Sequence, residues 1–212
     1  YLGPEMKSTG EVMGGSSSFG VAFAKAQLLS RLAALSGSRG VDLHRLLLEL
    51  ATEVEPLIDQ PLQRAEYLRL MTVGLQQVGD IPAAFETCME LVDMTPAEPA
   101  MEQAEPGLTV RRDRWVQAQL SDIFSAATPR QQLAMNNVLQ EHLRIALTAE
   151  STDRMRRVID YFDGHPIADV ARLRLAERLT NADALLEAEL LLSQLSESSD
   201  PAIGAPATAL LA

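Results

Sequence analysis

A single cysteine, few aromatic residues, a shortage of basic side chains and the lack of any long apolar run set the first limits on this chain. Cys88 is the one cysteine among 212 residues. An internal disulfide framework and a zinc site built on several thiols are therefore excluded, because both need thiols gathered in one place. Cys88 stands between Phe85 and Leu91 at helical apolar spacing, where an inert core thiol is expected. Lys and Arg number 18 against 29 Asp and Glu, a net charge of -11. Such a field repels phosphate backbones and anionic lipid, so neither nucleic acid nor a membrane is expected as a partner. No apolar run approaches the roughly 20 residues that cross a bilayer, and the amino end lacks a basic stretch followed by a hydrophobic signal core.

Aromatics make up 4% of the chain while hydrophobic residues make up 47%. That composition allows a sizeable core, and the recurrence of Leu and Ala suits helix-on-helix packing better than sheets. The expected fold class is all-α.

The first unit spans residues 1–36. A loop through Gly14, Gly15, Ser16, Ser17 and Ser18 leads into a helix with Ser18 as N-cap and Phe19, Ala22, Phe23, Ala26, Leu29 and Ala33 as its stripe. Residues 41–96 read as helical hairpins. Asp42 caps a helix that carries Leu43, Leu46, Leu47, Leu50 and Val54 on one face until Pro56. Pro61 opens a second helix, where its missing N–H is harmless, with Leu62, Ala65, Leu68, Met71, Leu75 and Val78 inward. Gly79 and Asp80 close it, and Ile81, Ala84, Phe85, Cys88, Leu91 and Val92 mark the next helix, which ends before Pro96.

Residues 97–110 contain Pro99, Pro106 and Gly107, cannot sustain a helix, and read as a linker or long loop carrying the main boundary. The region 111–212 is again helical, with Trp115, Leu120 and Phe124 anchoring one helix. Thr128-Pro129 starts another, with Leu139, His142, Leu143 and Ala146 inward. Ser151 or Thr152 caps a short helix with Met155, Val158, Ile159 and Phe162 in its stripe. A final pair, Ala168 to Leu179 and Ala184 to Leu195, places Ala176 and Ala188 where close crossings need small side chains. The end at Ala212, inside the apolar pattern of Ala207, Leu210 and Leu211, and a start at Tyr1 rather than Met, fit a piece of a longer protein.

Three resemblances attach to these segments. Residues 41–212 resemble tetratricopeptide-like helical repeats, which implies antiparallel helix hairpins stacked as a short solenoid after the loop-plus-helix amino-terminal segment; Ala65 to Pro96 resembles one such repeat, a helix hairpin of about 34 residues. Gly79-Asp80 takes the turn, Ala84 the small-residue contact and Pro96 the closing proline, while Leu68 stands in place of the preferred tryptophan and Thr72 in place of a small residue. The run RLRLAERL followed by LLEAELLLSQL and a proline resembles helical segments that accompany quinoprotein-like propellers. No propeller strands are present in the sequence, and no quinone chemistry is carried over.

Residues 3–27 resemble the end of the second ATP-grasp unit in the large chain of carbamoyl-phosphate synthetase. Glu5 to Gly14 match its run EMKSTGEVMG, and Phe19, Gly20, Ala22, Phe23, Ala24, Lys25, Ala26 and Gln27 match the helix that follows. The resemblance implies an ATP-dependent ligase whose magnesium and nucleotide ligands lie upstream of these residues, and a cytoplasmic location if it reflects the parent protein.

No residue is assigned a catalytic, cofactor-binding or metal-binding role, and no cofactor is implied for the chain itself. His44, His142 and His165 lack metal-ligand spacing, and no Gly-x-Ser-x-Gly turn offers a serine nucleophile. Arg111, Arg112 and Arg114 flank Trp115, and Arg154, Arg156 and Arg157 form a second basic group. These groups read either as an acidic-peptide site with Trp115 as a cation–π platform or as solvated helix faces paired with Asp113, Asp122, Asp153 and Asp160; the second reading is favoured. The expected function is a non-catalytic helical-repeat module for a protein or peptide. The alternatives are a fragment of the synthetase large chain fused to helical repeats, or two unrelated proteins joined after Gln27.

Overall fold

The computed structural model describes Gly20, Leu46 and residues 48–51, 54–94, 101–105, 108–198 and 200–211. Apart from Gly20, the synthetase-like loop and helix expected over residues 1–36 lie outside the described residues, as do Asp42, Leu43, His44 and Leu47. The fold is all-α, with one short β-hairpin among the described residues. It divides into two units: residues 1–97 with Leu120–Ala127, and residues 98–119 with residues 128–212.

In the first unit residues 48–51 are helical and a 3₁₀ turn covers Glu55–Leu57, where Pro56 removes the donor an α-helix would need. Helix α1 spans Pro61–Val78 and α2 spans Ile81–Asp93. They form a hairpin whose turn is dictated locally. Gly79 adopts a left-handed φ of 84°, a conformation that costs an L side chain about 1 kcal/mol or more. From there its N–H reaches the Gln76 carbonyl at 3.0 Å, and the Asp80 N–H reaches that of Leu75 at 2.9 Å. The orphan carbonyls at the end of α1 are thereby satisfied. Asp80 then accepts from the Ala83 N–H at 3.3 Å and caps α2.

Ala65, Leu68, Ala84, Cys88 and Leu91 are buried in this unit. Phe85 meets Phe124 edge to face, with centroids 6.2 Å apart. Thr72 is also buried, because its hydroxyl donates to the Leu68 carbonyl at 2.8 Å and brings no unpaired polar atom with it. Leu62 departs from the inward stripe and is 63% exposed. Helix α1 has 18 residues and α2 has 13, so in an antiparallel hairpin the first turn of α1 overhangs its partner. Leu46 is likewise turned outward, while Ala51 and Val54 carry the burial.

The second unit begins with strands β1, Met101–Glu105, and β2, Leu108–Arg111, paired antiparallel with a register irregularity between Gln103 and Glu105. A linker or loop is expected over 97–110, and the hairpin corrects that expectation for 101–105 and 108–110. Pro106-Gly107 forbids a helix but is a turn dipeptide, and the β-branched Thr109 and Val110 favour extended backbone.

Helix α3, Arg112–Ala126, follows directly. Then come α4, Pro129–Thr148; α5, Asp153–Tyr161; α6, Pro166–Asn181; α7, Leu185–Ser196; and α8, Pro201–Leu211. Thr128 and Gln131 form a reciprocal capping box at the start of α4. Ser151, rather than Thr152, supplies the side-chain cap of α5 by accepting from the Asp153 N–H at 3.1 Å.

Each helix from α4 to α8 packs on the next, and α6 also touches α4 and α8. Ala176 of α6 is buried in one cluster with Leu192 and Leu195 of α7, and Ala188 is buried as well. Leu173, Leu192, Leu195, Ile203 and Ala207 complete the core of the last three helices. Burying one such leucine contributes about 1.5–3 kcal/mol.

Candidate interaction surface

Of the arginines weighed as an acidic-peptide site or as acid-paired helix faces, Arg111, Arg114 and Arg156 are paired with acids of the second unit, in line with the favoured second reading. Arg111 grips Asp113 with both arms of its guanidinium, at 3.0 and 2.7 Å. Arg114 reaches Gln117 at 3.0 Å and Asp163 at 3.4 Å. Arg156 pairs with Glu187, and Arg112 is buried. Trp115 is only 7% exposed and offers no open platform. The partners differ in part from those expected. Asp153 takes a hydrogen bond from Ser151, and Asp160 contributes its main-chain carbonyl, which accepts from Gln117 Nε2 at 2.6 Å.

Asp163 is the hub of this network. It is shared by Arg114 and by Arg172, which also donates to Asp169 at 2.6 Å. Burial pushes the Asp163 carboxyl up, but the two guanidinium groups outweigh it and hold the group below the ordinary carboxylate value. Nearby, Arg178 donates to the Leu147 and Ala149 carbonyls at 2.6 and 2.7 Å, closing the carboxyl end of α4. These contacts fasten helices to one another. In the first unit Arg64 does the same, donating to Glu55 and Glu90 at 2.8 Å each while lying 5.3 Å over the Tyr67 ring. The partners are 9 and 26 residues away, which no helical spacing in the sequence reveals.

The remaining chemical candidates are structural. His165 accepts from the Ile167 N–H through Nδ1 at 3.4 Å and faces Asn136 through Nε2 at 2.9 Å. The first bond assigns the proton to Nε2, and burial lowers the imidazole pKa, so His165 serves as a neutral N-cap of α6. His142 lies edge-on to Phe162 at 6.2 Å. Cys88 is fully buried, and burial raises its thiol to about 12. Among the described residues no group of three or more His, Cys, Asp or Glu side chains could hold a metal ion. No described helix is long and apolar enough to cross a membrane.

What remains is apolar and faces water. Leu185, Leu186 and Leu190 of α7 are 59%, 74% and 59% exposed. The helix buries Ala188, Leu192 and Leu195. At 3.6 residues per turn, Leu186 and Leu190 share a face nearly opposite those three. The sequence held a signal for this arrangement: residues 185–195 contain six leucines, more than one buried stripe can absorb. The charged residues that follow in the chain are acidic, and Arg156 meets one of them, Glu187. Beyond Arg178 the chain has no Lys or Arg, while Asp183, Glu187, Glu189, Glu197 and Asp200 follow.

No family model matches the chain, and no curated protein and no solved structure matches it.

Proposed function

We propose that this chain is a non-catalytic helical-repeat module that binds a protein or peptide. The leucine face of α7 is the observation that carries the reading. Exposed large apolar side chains grouped on one rigid helix lose free energy to water unless a partner covers them, and such patches mark interaction sites. The sequential packing of α4 to α8 supports a short tetratricopeptide-like solenoid, since nearest-neighbour contact is how such stacks are built.

Panning a peptide library against the full chain tests the reading. Enrichment of a common motif over a scrambled control is the expected result, and no enrichment contradicts it.

The synthetase resemblance favours a second reading, in which the chain is part of an ATP-dependent carbamoyl-phosphate synthetase large chain joined to helical repeats. Its support is the resemblance of the run Glu5 to Gly14 to that family. ATP-grasp sequence immediately upstream of Tyr1 in the coding sequence is the expected finding, and unrelated sequence there would remove this reading.

A further inference from the structure

Building on the module reading, we infer that the solvent face of α7 is the docking site and that its occupant is a basic amphipathic helix. Leu186 and Leu190 lie four residues apart, on the row that also carries Glu197, and Glu189 stands between them and Leu185 around the helix. Asp183, Glu189 and Glu197 are exposed and make no ion pair among the described residues. Within α7 the other acid, Glu187, is engaged by Arg156.

The surface is thus an apolar strip flanked by the unpaired acids Asp183, Glu189 and Glu197, while on its other edge Glu187 is neutralised by Arg156. A partner helix with leucines at three- and four-residue steps covers the strip. Lysines or arginines flanking those leucines complete it electrostatically. Nucleic acid and anionic lipid are repelled by the same rim, and an acidic helix would place like charges together.

A fluorescent leucine–lysine amphipathic peptide of about 18 residues, long enough to overlap all of α7, is the probe. Its leucine–glutamate counterpart is the control. Both are titrated into the full chain at low and high salt, and each variant's fold is checked by circular dichroism. The leucine–lysine peptide is expected to bind at least about tenfold more tightly than the control, a gap that narrows as salt screens the charges. Leu186→Ser with Leu190→Ser is expected to weaken it about tenfold or more. Glu189→Lys with Glu197→Lys, which leaves the leucines in place, is expected to reverse the preference toward the glutamate peptide.

Equal affinity for both peptides, or affinity unchanged by either pair of substitutions, overturns the assignment. So does concentration-dependent self-association lost in the leucine variant, which gives the face to a second copy of the chain. If library-selected peptides bind the full chain with affinities untouched by these variants, the module reading survives and this docking surface does not. If no peptide of any kind binds, the module reading itself fails.

Discussion

The Ser198 carbonyl oxygen lies 2.8 Å from the point where Gly204 would carry a β-carbon. Side chains do not tolerate that distance, and the neighbouring atom is backbone, so α8 sits against the end of α7 only because residue 204 is glycine. Gly204→Ala is expected to destabilise the second unit by about 1–3 kcal/mol through overpacking. Urea unfolding checks it, and an unchanged midpoint would show that α8 is not seated as described.

Arg178 closes the end of α4 by donating to two carbonyls, those of Leu147 and Ala149. Arg178→Ala leaves both acceptors without this donor in a half-buried setting, at a cost of about 1–3 kcal/mol. Thermal unfolding is the measurement. Hydrogen exchange should also accelerate at the end of α4 more than at its capped start.

Acid sensitivity should pass through Asp163. Its folded-state pKa is depressed, so the stability it provides is present above the unfolded carboxylate value, near 3.9, and is lost as pH falls through the lower folded value. Stability of the wild type is expected to decline below about pH 4. Asp163→Asn should be less stable at neutral pH and show a shallower decline, as read from urea midpoints across pH 2–6. An identical slope would place the acid response elsewhere.

The Cys88 thiol, raised to about 12 by burial, stays protonated and inaccessible at neutral pH. A thiol reagent at pH 8 should label the unfolded chain within minutes and the native chain only at the rate of opening. The raised value also means that stability falls as pH climbs from the ordinary thiol value near 8.5 toward 12, where unfolding releases the proton. Cys88→Ala should remove that part of the alkaline loss. Rapid native labelling would contradict the burial.

Local chemistry made much of the fold legible. Thr128-Pro129 announced α4, Gly79-Asp80 announced the first turn, and Ala176 falls in the core that α6 shares with α7. Burial was less legible where length mismatch decides it, as for Leu62. The hairpin at Met101 to Arg111 was hidden because proline and glycine say what a segment cannot be before they say what it is. The arginine partners escaped because Asp163 joins Arg114 from 49 residues away. The leucine face was present in the sequence as an excess of leucines. Which of them turn outward depends on how α6 and α8 flank α7.

Comparing the unfolding free energies of Leu186→Ser and Leu192→Ala is the most direct measurement. If Leu186 faces water and awaits a partner, its replacement should leave stability within about 0.5 kcal/mol of wild type. Loss of the buried Leu192 should cost about 2–5 kcal/mol. A comparable loss for both would show that Leu186 already packs inside the protein and that α7 offers no docking face.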